Sequence, residues 1–149
     1  MNRNKKGFTL IEMLVVIAII AILVSIVIPV IGETTVQAKA AADVANLRAV
    51  YADLNIYVLN GDKTVSEIID RSLHPESKID PDAQLFAVFD TPGFIHVYYV
   101  NVDKQLFYSI DYLSTLASEG TDSVSLESIS GKPNVQGVWY QAGVGQVDP

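Results

Sequence analysis

The main feature of the hydropathy pattern is an apolar run near the start of the chain. From Phe8 to Ile31 it covers 24 residues and is interrupted only by Thr9, Glu12, Ser25 and Pro29. At about 1.5 Å per residue, a helix of this length measures ~36 Å and can cross a hydrocarbon core of roughly 30 Å. A secretory signal has an apolar core of only about 7–15 residues and a small-residue cleavage site, and neither feature is present here. The run therefore predicts a helix that stays in the membrane.

Beyond Pro29 the apolar residues recur at spacings of three and four, which predicts an amphipathic helix. This stripe consists of Val36, Ala40, Val44, Leu47, Tyr51, Leu54 and Val58. The polar residues expected to point away from it are Glu33, Lys39, Asp43, Asn46 and Asp53. Because Asn60-Gly61-Asp62 is a stop signal, one helix is predicted from about Phe8 to Leu59. Its first half is apolar on all sides, and its second half covers a globular body.

The remaining residues predict a small α+β body. Thr64 and Glu67 have the spacing of a capping box, which predicts a short helix over 65–73. Alternating or apolar runs bounded by turn residues predict four antiparallel strands, at 84–89, 94–102, 104–110 and 137–142. A helical turn is expected at 112–117, an irregular tail at 143–149, and a core position for Trp139 and Tyr140. The predicted fold is a long N-terminal helix packed on a small antiparallel sheet of about four strands.

Charge is distributed unevenly along the chain. The formal net charge is −7, from 17 acidic and 10 basic side chains. Arg3, Lys5 and Lys6 lie in the first six residues, so the rest of the chain has 7 basic against 17 acidic side chains, a formal −10. Such a body repels nucleic acid. The basic head and the acidic flank at Glu33 predict a cytoplasmic N-terminus and a body on the other side of the membrane.

No pattern of a catalytic, metal or cofactor site is present. A P-loop, a glycine-rich dinucleotide turn and a serine nucleophile motif are all missing, and the absence of cysteine excludes disulfides and thiolate chemistry. His74 and His96 are isolated, and a structural role is expected for both. Asp80, Asp82 and Asp122 lack the spacing of a calcium-binding loop, so we expect them to be solvated. We therefore expect no enzyme activity, no cofactor and no metal.

Glu12 does not fit a simple membrane anchor. A charged side chain at the centre of a membrane helix costs roughly 2.5–3.5 kcal/mol on insertion scales and usually indicates a function. The junction Lys5-Lys6-Gly7-Phe8 ahead of the apolar run also has no role in an anchor.

The segment KKGFTLIEMLVVIAIIAIL resembles the class III signal of type IV pilins and their pseudopilin relatives. The resemblance covers about the first 30 residues and implies that a membrane peptidase cuts between Gly7 and Phe8 and methylates the new amine of Phe8. It also implies that Glu12 pairs with the Phe8 amine of an adjacent subunit during assembly, and that the helix bends at Pro29. Many Gram-negative pilins close a C-terminal loop with a disulfide, which this chain cannot form.

The resemblance also implies an organisation and a destination. The predicted divisions are a leader at 1–7, a transmembrane and assembly helix at 8–32, and a pilin head at 33–149 made of 33–59, 60–83, 84–142 and 143–149. The implied protein is held in the cytoplasmic membrane as a single-pass precursor and then polymerised into an extracellular homo-oligomeric filament. Its expected partners are the prepilin peptidase and methylase, the pilus assembly machinery of the membrane and minor pilins, but not nucleic acid.

Three functions remain open at this point. The first is the structural subunit of a type IV pilus, with adhesion, motility or biofilm roles. The second is a pseudopilin of a type II secretion or DNA-uptake apparatus. The third is a single-pass membrane-anchored binding module, which leaves Gly7, Phe8 and Glu12 unexplained.

Processing can be tested directly. We predict that the mature chain lacks Met1 to Gly7 and begins at an N-methylated Phe8, because the cut follows the glycine at the edge of the apolar run. N-terminal mass mapping of the natural protein checks this prediction. A bulky residue in place of Gly7 is expected to leave the precursor uncut, whereas an intact leader on the assembled form would contradict the pilin interpretation.

Overall fold

A computed structural model describes residues 7–60, 64–72, 75–90, 93–121, 124–125 and 129–148, with only the backbone of residues 58 and 59. The fold is α+β. Its elements are α1 (Leu10–Asn60), α2 (Val65–Asp70), β1 (Gln84–Asp90), β2 (Ile95–Asn101), β3 (Leu106–Ser109), α3 (Ile110–Glu119), β4 (Gly137–Gln141) and β5 (Gly145–Val147). The chain divides into two compact units, Met1–Thr34 and Thr35–Pro149, which are described separately below.

In the second unit, α1 contributes a stripe to the core. The side chains of Ala40, Val44, Leu47, Val50 and Leu54 are buried, as the three- and four-residue spacing predicts. The prediction is wrong at Tyr51, which is 43% exposed because Val50 takes the inward position between Leu47 and Leu54. Both choices satisfy the helical spacing, so the pattern alone does not decide between them.

The sheet has five antiparallel strands in the order β3-β2-β1-β4-β5. Four of them correspond to the predicted strands, with boundaries shifted by a few residues. The fifth corrects the prediction of an irregular tail, because β5 pairs Val147 with Trp139 and Gly145 with Gln141. Gly143, at φ +74°, makes the tight turn that leads into it.

Two helices flank this sheet. The Thr64–Glu67 capping box is present, since the Thr64 N–H donates to Glu67 Oε2 at 2.8 Å and the Glu67 N–H to Thr64 Oγ1 at 3.4 Å. The helix α2 ends at Asp70, earlier than predicted, and Leu73 and His74 lie outside the described residues. The expected helical turn is in fact the ten-residue helix α3, because Ser109 ends β3 and caps it by accepting the Tyr112 N–H at 3.1 Å.

Both faces of the sheet are buried. One face packs on the α1 stripe and on α3 through residues such as Leu85, Tyr99 and Leu113. The other face holds a second apolar cluster, formed by Phe86, Val88, Tyr98, Val100, Phe107 and Trp139. Trp139 is in the core, as predicted, and the Lys132 ammonium lies 5.5 Å from the centre of its ring. His96 stacks on Tyr98 beside this cluster.

A buried carboxylate on α1 holds the loop that leads into the sheet. Asp43 is fully buried, which corrects the prediction that it points away from the core. It accepts hydrogen bonds from the Ser77 hydroxyl at 2.6 Å, from the Lys78 N–H at 2.8 Å and from the Ile79 N–H at 3.1 Å. Backbone N–H groups in a loop have no regular partner, and the carboxylate supplies one. The negative charge is thus compensated locally by oriented donors.

A second carboxylate in the same loop connects it to the sheet. Asp80 is 9% exposed and accepts hydrogen bonds from Asn101 Nδ2 at 2.7 Å and from the Tyr108 hydroxyl at 3.0 Å. Burial raises the pKa of Asp80, but these two bonds, the Asp82 N–H and the Lys104 ammonium together lower it below its usual value. Burial and the nearby Asp80 charge raise the pKa of Tyr108, so the phenol remains a neutral donor.

These contacts bear on the expectation that the acidic side chains of this loop are solvated. The expectation that Asp80 is solvated is wrong, whereas Asp82 is exposed and lies 3.6 Å from the Lys104 ammonium, measured from Oδ2 to Nζ. Within the described residues, no group of His, Cys, Asp and Glu side chains is arranged to hold a metal ion. Asp122 lies outside those residues.

The role of Asp43 yields a stability prediction. Asp43→Ala removes the acceptor for several buried donors, so the free energy of unfolding should fall by about 3 kcal/mol. Asp53→Ala removes an exposed acid from the same helix and should change it by less than about 0.5 kcal/mol. Urea unfolding of both variants in the same detergent measures the difference. Equal losses would show that Asp43 does not hold the loop.

Candidate assembly site at the start of helix α1

The start of α1 is built by a reciprocal pair of side chains. Thr9 precedes the first helical residue, and its N–H and hydroxyl each donate to Glu12 Oε2 at 2.7 Å. In return the Glu12 N–H donates to Thr9 Oγ1 at 3.3 Å. This is a capping box, in which two otherwise unpaired N–H groups of the first turn find partners. Glu12 is therefore part of the device that begins its own helix.

The capping box was not recognised from the sequence, although its signal was present. Thr9-Leu10-Ile11-Glu12 has the same Thr-x-x-Glu spacing as Thr64 to Glu67, which did predict the start of α2. A membrane helix needs its first turn satisfied even more than a soluble helix does, because lipid offers no donors or acceptors.

The carboxylate keeps capacity for a second partner. Both bonds from Thr9 fall on Oε2, and within the described residues no donor contacts Oε1. A carboxylate can accept about four hydrogen bonds, so a cation can bind Oε1 without disturbing the cap. The side chain is also exposed in the single chain. The Oε1 atom of Glu12 is thus an exposed acceptor on the surface of an apolar helix.

The residues of the predicted cleavage site are accessible. Gly7 and Phe8 lie before α1 and have no regular secondary structure. Phe8 is 81% exposed, and a Cβ built on Gly7 would have no atom within 4 Å. No described part of the chain therefore requires the glycine, which is consistent with a role in recognition by an enzyme. Lys5 and Lys6 lie outside the described residues.

The first unit leaves its apolar surface uncovered. Every large apolar side chain from Phe8 to Ile31 is between 45% and 81% exposed. Among the described residues, α1 is the one helix long and apolar enough to cross a membrane. Such a surface is not stable in water and must be covered by lipid or by other helices. The same surface can therefore be covered by lipid in a bilayer and by other helices in an assembly.

Pro29 lies inside α1, and the helix continues through it. Proline has no N–H to donate to the carbonyl of Ser25, one turn earlier. The Ser25 hydroxyl donates to the Ile22 carbonyl at 2.7 Å, and the Thr34 hydroxyl donates to the carbonyls of Val30 and Ile31 at 3.2 and 3.1 Å. These side chains make bonds to the helix backbone on either side of the proline. The predicted bend at Pro29 stays a prediction.

Comparisons with known proteins agree with this picture. The profile of the prokaryotic N-terminal methylation motif matches residues 2–28. The type II secretion system core protein G of Pseudomonas aeruginosa is 38% identical to this chain over 59 residues. That match covers 40% of this chain and 42% of the relative, so less than half of either protein is aligned. No solved structure gives a significant match. The motif, the relative and the fold support a type IV pilin-like protein.

Proposed function

We propose that this type IV pilin-like protein is a pseudopilin, the structural subunit of a filament built in the cytoplasmic membrane by a type II secretion apparatus. The precursor is cut between Gly7 and Phe8 and methylated at Phe8. The mature subunit then joins the filament through its apolar helix. Its role is structural, and the named side chains position subunits rather than catalyse a reaction.

The observation that carries this proposal is that the Glu12 carboxylate binds Thr9 through Oε2 and has no donor at Oε1 among the described residues. Cleavage creates a cationic amine at Phe8, at the start of an apolar helix that has no other charge before Glu33. A charge in a low-dielectric environment is costly unless it is paired. Oε1 of Glu12 is available to the amine of an adjacent subunit while Oε2 keeps the Thr9 cap. Pairing of amine and carboxylate then sets the register between neighbours.

The choice of secretion over a surface pilus rests on the Pseudomonas aeruginosa relative, which is a type II secretion protein by name. A pilus subunit would use the same cleavage, the same helix and the same charge pair, and would differ in where the filament ends. The two functions therefore separate by the location of the filament and by the effect of deleting the gene on protein export.

The function of the charge can be separated from that of the cap by two variants. In Glu12→Gln the amide still accepts from Thr9, but it cannot neutralise the amine of a neighbour. We predict normal insertion and leader cleavage, with filament yield at least about a hundredfold lower, because leaving a buried charge unpaired costs roughly 3–5 kcal/mol. In Thr9→Val the charge remains and the cap loses its hydroxyl, which typically costs about 1 kcal/mol, so the yield should fall by roughly fivefold.

The measurement compares sedimentable filament with the membrane pool in cells that make each variant as their only copy. Asp53→Asn serves as the matched control, since Asp53 is an exposed acid on the same helix, and its filament yield should be unchanged. Normal filaments from Glu12→Gln would contradict the charge pair. Long surface filaments together with normal export in a deletion strain would favour the pilus over the secretion filament.

A further inference from the structure

A groove on the body of the protein lies between α1 and α3. It has a volume of about 370 Å³ and is lined by Ala41, Ala45 and Arg48 of α1 and by Ser114 and Ala117 of α3, among others. Ala41, Ala45 and Arg48 are exposed, so this face of α1 is not used by the core of its own chain. Small side chains on a helix let another helix approach its backbone closely. The lining of the groove therefore suits the close approach of a second helix.

Two polar groups in this groove have no partner among the residues that the structure describes. Arg48 makes no ion pair among the described residues. The Oγ of Ser114 is buried and is the one such side-chain oxygen or nitrogen in the described part of the chain that lacks a hydrogen bond. Buried polar groups are nearly always paired in a complete structure. Arg48 is consistent with an acidic occupant that the isolated chain lacks, whereas the Ser114 Oγ is shielded from solvent and adds no contact to a docked chain.

We propose that the occupant of this groove is a second copy of this chain, docked through the α1 segment that contains Ile26, Val30 and Glu33. This inference rests on the proposed filament. The side chains of Ile26 and Val30 are 63% and 60% exposed, and Glu33 is exposed and makes no ion pair in the described residues. An apolar helix face that ends in one acid thus complements an alanine-lined groove that ends in one arginine.

The spacing of the two segments defines the register. Ile26, Val30 and Glu33 are separated by four and then three residues, and Ala41, Ala45 and Arg48 have the same separations. A parallel stagger of 15 residues places each large side chain opposite an alanine and places Glu33 opposite Arg48. The helices must run parallel because all copies enter the membrane with the same orientation.

This register also predicts when the contact forms. Fifteen residues correspond to an axial displacement of about 22 Å along a helix. Copies side by side at one depth in a bilayer have no such displacement, whereas successive subunits of a filament do. The contact therefore belongs to the filament and is absent from the membrane pool. It differs from the Phe8–Glu12 contact, since each subunit of a helical filament has neighbours at several displacements.

Disulfide trapping tests the register, because the chain has no cysteine of its own. Two tagged copies are made in one cell, one with Val30→Cys and the other with Ala45→Cys, and are oxidised in filaments and in membranes. The mixed dimer should form in filaments, at least about tenfold more than with Ala42→Cys, which lies three residues earlier, about 4.5 Å along the helix and about 60° around it. It should be nearly absent from membranes. Equal yields for positions 42 and 45, or no mixed dimer in filaments, would overturn the inference.

Charge exchange tests the contact independently. Arg48→Glu and Glu33→Arg should each lower filament yield by roughly tenfold, because each places like charges together at the end of the groove. The double variant should recover to within about twofold of the natural protein. Lys39→Glu, at an exposed position of α1 outside the groove, is the control for a simple loss of positive charge.

These outcomes separate the groove from the filament itself. Single variants that assemble like Lys39→Glu, or a double variant no better than the singles, would overturn the groove contact and leave the proposed function standing. Failure of the natural protein to form any filament would instead contradict the proposed function.

Discussion

The carboxylate of Glu12 is the main constraint on how the apolar half of the chain inserts in a membrane and packs against other helices. It is placed where lipid or other helices must surround it, and it is held by its own Thr9 through one oxygen only. The cap lowers the cost of the charge in a single subunit, and in the proposed filament the other oxygen binds the amine of a neighbouring Phe8. A neutral side chain would insert in the membrane more readily, so the role proposed for the charge is to set the register between subunits.

In the globular unit, carboxylates also accept hydrogen bonds from nearby donors, but there they fix the position of a loop. Its two buried acids, Asp43 and Asp80, hold a loop that has no regular secondary structure against α1 and the sheet. Apolar packing on both faces of the sheet supplies the core, and the carboxylates fix the path of the chain around it. A protein without disulfides needs such fixed points, because loops gain little from apolar burial.

Periodicity and turn chemistry predicted the helices and the four longer strands, because these elements follow directly from spacing and capping. The strand β5 was missed because it has only three residues, begins at Gly145 and follows the turn at Gly143, so no alternating pattern reveals it. Asp43 was placed on the wrong side because its burial depends on donors 34 to 36 residues away, which a local pattern does not contain. An assembly role for Glu12 was predicted from the sequence and stays a prediction, whereas the hydrogen bonds between Glu12 and Thr9 required the geometry. The groove between α1 and α3 depends on tertiary packing and could not be read from the sequence.

The proposed assembly depends most on the pairing of the Phe8 amine with the Glu12 carboxylate between subunits. Filaments grown from an equal mixture of two chains, one with ¹⁵N at the Phe8 amine and the other with ¹³C at the Glu12 carboxylate, test it by solid-state NMR. Pairing between subunits predicts dipolar transfer between the two labels in the mixed filament, at about half the intensity per labelled amine that is seen when both labels are on every chain. Transfer confined to doubly labelled chains would show that each subunit pairs with itself. The absence of transfer in both samples would contradict the charge pair altogether.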